Sequence, residues 1–196
     1  QIINLLVDEG IARPGDIEEA FVAGYSDTFP FLVGHTKLEG YIFPDTYRFF
    51  EHTKGNEILV TMLKNFELKT KELERAVQES KRSFSDIVVV ASILEREAQR
   101  EEDMRMVAGI VWKRLDRGMP LQVDAALSYV TGRGSKELTQ SDLASTTPYN
   151  TYLYKGLPPT PIANPGLRAL RAATIPTASP YLFYLSGNDG TLYFAR

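Results

Sequence analysis

The spacing of apolar residues along the chain predicts a mainly helical fold. Between residues 55 and 81, apolar side chains recur every three or four positions among charged ones, which indicates one long amphipathic helix. Another helix is predicted to begin at Ser85 as its N-cap and to run from Asp86 to about Gln99. Shorter helices are predicted over residues 2–9, 16–23, 101–117, 125–130 and 165–174.

Strands are predicted near both ends of the chain. Residues 38–50 are rich in aromatic side chains, and Pro44 and Asp45 indicate a turn within them. Near the far end, the segments Tyr181–Ser186 and Thr191–Ala195 flank a Gly-Asn-Asp-Gly sequence that is typical of a hairpin turn. Because helices dominate and the strands are short, the predicted fold class is α+β, a mainly helical domain with short β-strands and hairpins.

The amino-acid composition excludes several classes of function. The chain has 43% hydrophobic and 24% charged residues, the profile of a globular protein. Its 22 basic and 25 acidic residues give a net charge of −3, which argues against a nucleic-acid partner. With no cysteine and two histidines, neither a metal site nor a cysteine nucleophile is expected, and no cofactor-binding motif is present.

One of the predicted helices carries the strongest catalytic candidate. At about 100° per residue, Glu97 lies on the apolar stripe of its helix together with Ile93 and Leu94. Glu95 lies on another face. A carboxyl group that extends an apolar stripe is partly desolvated, which raises its pKa and suits it to general acid catalysis. The alternative is that Glu97 is the first solvated residue after the buried turn.

Two further segments carry polar groups that suit a sugar ligand. In residues 38–47, aromatic rings offer a platform for sugar rings, and Glu39 can accept hydrogen bonds from hydroxyl groups. Gln122 and Asp124 stand two apart on a segment predicted to be extended, so both side chains project to the same side. The alternatives are an ordinary core strand for the first segment and a helix N-cap for Asp124.

Residues 132–163 are predicted to be mostly loop, and so long an irregular stretch inside a compact domain is usually functional. Tyr149 and Tyr152 flank the amide of Asn150, and prolines stiffen the chain that follows. Such a loop suits saccharide or peptide recognition, with a polyproline-type surface loop as the alternative. Just after it, Asn164 is expected to cap the helix over residues 165–174.

Four motifs stand in a fixed order along the chain, in residues 38–47, 91–97, 113–124 and 148–166. Together they resemble the MltG (YceG-like) family of endolytic murein transglycosylases. The resemblance implies cleavage of the β-1,4 bond between N-acetylmuramic acid and N-acetylglucosamine. It implies 1,6-anhydro ends that terminate nascent glycan strands, with Glu97 as the catalytic residue and no cofactor. The residues expected to bind the glycan are Glu39, Gln122, Asp124, Tyr149, Asn150, Tyr152 and Asn164.

The resemblance also implies a domain organisation and a place in the cell. Residues 37–196 correspond to the catalytic domain, and residues 1–36 to a helical segment just upstream of it. We expect the chain to be a piece of a longer bacterial protein, anchored in the cytoplasmic membrane with this domain outside it. The expected partners are peptidoglycan glycan strands and, at the membrane, cell-wall synthases. One departure is Leu192, which stands where the family commonly has a histidine and so leaves Glu97 with less help.

Two other functions stay open at this point. The chain could be a muramidase that uses two carboxylates, with Asp124 or Glu39 activating water. It could also be a glycan-binding module of the cell-wall synthesis machinery without catalytic activity. If Glu97 is catalytic, we expect it to line the main cleft alongside Tyr149 and Asn150.

Overall fold

The protein is described by a computed structural model that covers residues 2–187 and 190–196. Its described part contains nine α-helices followed by one two-stranded antiparallel sheet. The helices are α1 (Ile2–Asp8), α2 (Pro14–Val22), α3 (Gly55–Thr70), α4 (Glu74–Ser80), α5 (Phe84–Glu97), α6 (Glu101–Asp116), α7 (Asp124–Thr131), α8 (Gln140–Leu143) and α9 (Leu167–Thr174). The strands are β1 (Phe183–Ser186) and β2 (Leu192–Ala195), which confirms the predicted α+β class.

Helices α5, α6 and α9 form the centre of the molecule, with α9 packed against both of the others. Eight consecutive residues of α5, from Ile87 to Leu94, are buried, so this helix is enclosed on all sides rather than on one face. The indole N–H of Trp112 on α6 donates to the carbonyl oxygen of Ala173 on α9 at 2.8 Å. These contacts fix α5, the helix that carries Glu97.

Residues 1–36 contribute to the same hydrophobic core as the rest of the chain. The side chains of Ile17 on α2 and Phe29 in the following loop are almost fully buried, as is Phe66 on α3, and all three belong to one cluster. Helix α2 packs on α3 where Gly55 allows close approach, because a Cβ built on Gly55 would overlap the backbone of Asp16. The division into residues 1–36 and 37–196 stays a prediction.

The predicted single helix over residues 55–81 is interrupted. Helix α3 ends at Thr70, a 3₁₀ turn covers Lys71–Leu73, and α4 follows. The hydroxyl group of Thr70 donates to the carbonyl oxygen of Phe66 at 2.9 Å, a local hydrogen bond that favours bending of a helix.

The predicted strand in residues 38–50 is wrong, since the structure has no strand there. Tyr41, Ile42 and Phe43 are all buried, so burial and not strand pairing accounts for the aromatic composition. Two backbone N–H groups of this segment, those of Gly40 and Ile42, donate to the side-chain oxygen of Asn164 at 2.7 and 3.3 Å. A side chain therefore takes the place of a neighbouring strand.

Three predicted helix boundaries also move. Helix α5 is capped by Ser83 and not by Ser85, because the Ser83 hydroxyl accepts from the N–H of Asp86 at 3.0 Å. At its other end α5 stops at Glu97, two residues before the predicted end at Gln99. Helix α9 begins at Leu167 with Gly166 at the N-cap position, so Asn164 does not cap it. Helix α7 includes Asp124 as its first residue, which excludes Asp124 as the N-cap.

The C-terminal hairpin places one tyrosine against the body of the protein. Strands β1 and β2 pair in antiparallel register, with Tyr184 opposite Phe194. Along β1, Tyr184 is partly buried while its neighbours Phe183 and Leu185 are exposed, as the alternation of a strand requires. The predicted hairpin turn includes Asn188 and Asp189, which lie outside the described residues. No helix in the described part of the chain combines the length and hydropathy needed to span a membrane.

Candidate active site

The end of α5 presents Glu97 to the first turn of α7. Burial raises the pKa of Glu97 above its usual value of 4.5, and this effect is larger than any other acting on the group. A hydrogen bond from the Tyr184 hydroxyl lowers the pKa, the negative charge of Asp124 raises it, and the backbone N–H of Ala125 lowers it. The result is a carboxyl group whose protonated form is favoured, with two donors ready to stabilise its charged form.

A second carboxyl group lies next to the first. Asp124 is the first residue of α7, and its side-chain oxygen accepts a hydrogen bond from the Tyr152 hydroxyl at 2.5 Å. Burial raises the pKa of Tyr152, and so do the bond to Asp124 and the nearby charge of Glu97. The two carboxyl groups therefore have different environments, since each is bonded by a different tyrosine: Tyr152 for Asp124 and Tyr184 for Glu97.

Arg114 is a buried cation close to both tyrosines. The guanidinium group of Arg114 donates to the carbonyl oxygen of Leu121 at 2.5 Å and to the side-chain oxygen of Gln122 at 3.3 Å. Its charge lowers the pKa of both Tyr152 and Tyr184, which opposes the effect of their burial. Burial in turn lowers the pKa of Arg114.

Two members of this cluster, Tyr184 and Arg114, were missed by sequence reasoning. Tyr184 lies 87 positions after Glu97 by their residue numbers, and no periodicity within one element links them. The alternation of exposed and partly buried residues along β1 was the available signal for Tyr184. Arg114 is 5% exposed, and an arginine so buried in a helix is not distinguishable from a surface arginine by its spacing alone.

The chain around Gln122 and Asp124 is not a regular extended segment. Gln122 has a φ of 53°, in the left-handed region, and its backbone N–H donates to the carbonyl oxygen of Thr151 at 3.0 Å. Gln122 is exposed except for its contact with Arg114, whereas Asp124 is partly buried beneath Tyr152. The expectation that both side chains project from one side of a strand is therefore wrong in its geometry.

The loop of Tyr149, Asn150 and Tyr152 is built around the asparagine. Asn150 has no exposed surface, and its amide nitrogen donates to the carbonyl oxygens of Leu143 and Ser145 at 2.9 and 2.8 Å. Its side-chain oxygen accepts from the N–H of Tyr152 at 3.0 Å. Because Asn150 is buried and these bonds occupy its amide group, we correct its expected role from a direct glycan contact to a residue that joins the loop to the end of α8.

A cavity of about 810 Å³ lies beside this cluster. Its lining includes Glu39 and Asn164, two of the residues predicted to bind the glycan, together with Ser128 and Tyr129 of α7. Burial raises the pKa of Glu39, and the charge of Lys37 partly opposes this. The cavity is of the size that small-ligand sites commonly have.

Tyr149 lies next to Tyr129 at the edge of this cavity. Their ring centroids are 5.4 Å apart, and the Tyr149 hydroxyl is hydrogen-bonded to that of Thr160 at 2.7 Å. Tyr149 is partly buried, so its ring remains partly available to a ligand.

Glu97 is not among the residues that line the cavity, whereas its neighbour Arg96 is. The expectation that Glu97 lines the main cleft alongside Tyr149 and Asn150 is therefore wrong. Helix α7 connects the two places, because the N–H of Ala125 faces Glu97 and Ser128 and Tyr129 lie about one turn further along the same helix. No cluster of three potential metal ligands is found among the described residues.

Comparison with known proteins agrees with this architecture. The model of the YceG-like family matches residues 1–196. The endolytic murein transglycosylase of Bacillus subtilis strain 168 is 33% identical over 172 residues, which cover 87% of this chain and 48% of that protein. The endolytic murein transglycosylase of Streptococcus pneumoniae strain D39 is 30% identical over 166 residues, which cover 82% of this chain and 30% of that protein.

A solved structure has the same fold. The crystal structure of the yceG-like protein lmo1499 from Listeria monocytogenes superposes with a TM-score of 0.88 at 29% sequence identity, and the match covers 100% of this chain and 69% of that one. The chain thus spans 48% of the length of the Bacillus relative and 30% of that of the Streptococcus relative.

Proposed function

Because the chain belongs to the YceG-like family, we propose that it is the catalytic part of an endolytic murein transglycosylase. The names of the relatives supply the reaction class. The observation that carries the proposal is the partly buried Glu97 carboxyl group, with its raised pKa and its two hydrogen-bond donors, Tyr184 and Ala125. A carboxyl group in this state can give a proton near neutral pH and then be stabilised as a carboxylate.

The proposed reaction uses one carboxyl group twice. Protonated Glu97 gives its proton to the glycosidic oxygen as the bond from that oxygen to C1 of N-acetylmuramic acid breaks. Positive charge develops at C1 in the oxocarbenium-like transition state. The Glu97 carboxylate then takes the proton from the C6 hydroxyl of the same sugar, and that oxygen bonds to C1. The products are a 1,6-anhydro end and a free hydroxyl end, Glu97 is protonated again, and no water is consumed.

The groups around Glu97 stabilise different protonation states of its carboxyl group at different stages of the reaction. Burial and the charge of Asp124 favour the protonated form that starts the reaction. The Tyr184 hydroxyl and the Ala125 N–H favour the carboxylate that exists after the first proton transfer. Because the C6 hydroxyl belongs to the reacting sugar, its attack benefits from proximity.

The remaining predicted residues are proposed to hold the strand. Glu39 and Asn164 line the cavity, and Tyr149 packs against Tyr129, which belongs to the same lining. Gln122 is exposed, and its side-chain oxygen accepts a hydrogen bond from Arg114 at 3.3 Å, which leaves its amide N–H groups available to the strand. We also propose, from the family, that the parent protein holds this domain outside the cytoplasmic membrane, close to cell-wall synthases.

The test is product analysis on isolated glycan strands. Wild type is expected to produce 1,6-anhydro ends detectable by mass spectrometry, and Glu97→Gln to lower the rate by about 10²–10⁴-fold. Glu95→Gln is the matched control, since Glu95 is an exposed carboxylate on the same helix that bonds the N–H of Gly166 at 2.9 Å. Undiminished anhydro ends with Glu97→Gln would remove Glu97 from the mechanism.

A muramidase with two carboxylates is the second candidate. The proximity of Asp124 to Glu97, seen in the effect of its charge on the pKa of Glu97, favours it. The bond from Tyr152 to Asp124 opposes it, because the tyrosine hydroxyl already occupies a carboxylate oxygen of Asp124 that a water molecule would have to reach. Cleavage in water enriched in oxygen-18 separates the two, since only hydrolysis labels the new reducing end. Binding of strands by wild type with no cleavage would instead indicate a glycan-binding module.

A further inference from the structure

The lining of the cavity of about 810 Å³ is positively charged, although the chain as a whole is acidic. Its lining contains three cationic side chains, those of Lys37, Arg96 and Arg133, and the carboxyl group of Glu39. The chain as a whole carries a net charge of −3. A cavity with the opposite sign concentrates anions against the field of the rest of the molecule.

Two of these cations have no partner in the described part of the chain. Arg133 forms an ion pair with Asp142 at 2.6 Å. The side chains of Lys37 and Arg96 have no hydrogen bond among the described residues and no carboxylate within 4.0 Å, although the charge of Lys37 acts on Glu39 and that of Arg96 on Glu97. Unpaired cations in a concave site are suited to the carboxylates of a ligand.

The cavity lies beside the reacting carboxyl group. Arg96 is adjacent to Glu97 in sequence, and α7 runs from Ala125 at Glu97 to Ser128 and Tyr129 in the cavity wall. One turn of helix is about 5.4 Å, so a group that projects from a sugar held at Glu97 can reach the cavity. Its other wall is apolar and comes from α1 and α2, through Ile2, Ile3, Phe21 and Val22.

We propose that this cavity binds the peptide stem of a murein strand. Arg96 and Lys37 pair with carboxylates of the stem, and the apolar wall of α1 and α2 contacts its alkyl side chains. The stem branches from N-acetylmuramic acid, the sugar whose C1 reacts, so it must leave the site near Glu97. The inference rests on the proposed function for the identity of the strand, and it adds a preference for strands that carry stems.

The first test compares two preparations of the same strands, one with stems and one from which an amidase has removed them. On stem-bearing strands, Arg96→Gln and Lys37→Gln are each expected to raise KM by roughly threefold to tenfold without a matching loss of kcat. On stripped strands both variants are expected to keep the KM of wild type, since the effect of the Arg96 charge on Glu97 changes kcat and not stem binding. Arg96→Lys keeps the positive charge, so its KM is expected to return most of the way to the wild-type value.

Arg75→Gln is the matched control, because the Arg75 side chain is 90% exposed on α4 and is outside the cavity. It is expected to behave as wild type on both preparations. An equal rise in KM on both preparations would assign the cations to the sugar backbone, and no rise on either would leave them without a role. Each of these results overturns the proposal.

A binding measurement separates this inference from the proposed function. Glu97→Gln protein is titrated with stem-bearing and with stripped strands in a calorimeter. Tighter binding of stem-bearing strands, lost when Arg96→Gln is added, supports the stem site. Equal binding of the two preparations overturns it. If wild type cleaves neither preparation, the proposed catalytic function fails, and the binding comparison still decides whether the cavity recognises stems.

Discussion

The state of one carboxyl group depends on opposing contacts that can be removed one at a time. Burial and Asp124 favour the protonated form of Glu97, while Tyr184 and the N–H of Ala125 favour its carboxylate. The sequence places Glu97 on an apolar stripe but places neither donor next to it. Leu192 packs against the core on the same hairpin and has no group that could exchange a proton with Glu97. Tyr184 on β1 is the described hairpin residue that donates a hydrogen bond to Glu97.

Replacing Tyr184 with phenylalanine tests that contact. Tyr184→Phe removes a hydrogen bond that lowers the pKa of Glu97, so this pKa is expected to rise. Since the general acid must be protonated, the fall in kcat on the alkaline side should move to higher pH, with a loss of roughly tenfold at the optimum from poorer positioning. A pH profile of kcat measures both. Tyr193→Phe is the control, as Tyr193 is 59% exposed; an alkaline limb that does not move contradicts the role of Tyr184.

The stability of the protein should also report the raised pKa of Glu97. The folded state holds this proton more strongly than the unfolded chain, so the contribution of Glu97 to stability is present below its usual value of 4.5. It is lost as pH rises through the raised pKa. Glutamine has no such proton, so the Tm of Glu97→Gln is expected to exceed that of wild type by an amount that grows from about pH 4 to about pH 8. Calorimetry across pH measures it, and a difference that is constant with pH contradicts it.

At the scale of elements, the N-cap of α5 stabilises the start of the helix that carries Glu97. Ser83 accepts from the N–H of Asp86, so Ser83→Ala should remove about 1 kcal/mol from the free energy of unfolding. Thermal or urea denaturation measures the loss. Ser26→Ala is the control, because Ser26 is exposed in a turn outside any helix. If Ser85→Ala, at the position that the sequence favours, shows the cap effect and Ser83→Ala does not, the observed start of α5 is wrong.

Helix α6 makes a close contact that a single methyl group should disrupt. A Cβ built on Gly109 would overlap the carbonyl oxygen of Thr177, in the segment that leads from α9 to the hairpin of Tyr184. Gly109→Ala is expected to lower the free energy of unfolding by about 1–3 kcal/mol and to reduce strand cleavage by displacing that hairpin. Gly15→Ala on α2 has open space around it and should instead be neutral or stabilise by up to about 1 kcal/mol. Equal effects of the two changes would contradict the packing.

The elements that the sequence predicted best are those whose periodicity is local. Helices α2 and α6 appear within two residues of their predicted ends, since one apolar face decides each of them. The segment of residues 38–50 was predicted as a strand because aromatic composition indicates burial, but its N–H groups pair with Asn164 more than 120 positions away. Arg114 and Tyr184 were missed for the same reason, because only tertiary packing brings them to Glu97.

At the scale of the whole molecule, residues 1–36 and residues 37–196 contribute to one hydrophobic core. Residues of α1 and α2 also form the apolar wall of the cavity that we propose for peptide stems. If that wall belonged to a separately folding unit, the shape of the stem site would depend on the relative position of two independent units. Because α2 packs directly on α3, we expect the segment and the rest of the chain to unfold together.

The chain has one tryptophan, which makes this expectation measurable. Trp112 on α6 contacts α9, and both helices lie in residues 37–196, so its fluorescence reports on that part of the chain. Ile17→Ala, at a fully buried position of α2, should lower the free energy of unfolding by about 2–5 kcal/mol and shift the Trp112 transition by the full amount. Val22→Ala, at a position 84% exposed, should leave that transition in place.

The opposite result would be a Trp112 transition that stays fixed in Ile17→Ala while circular dichroism shows a separate, earlier loss of helix. Residues 1–36 would then fold as their own unit, and the cavity wall would be free to move relative to Glu97.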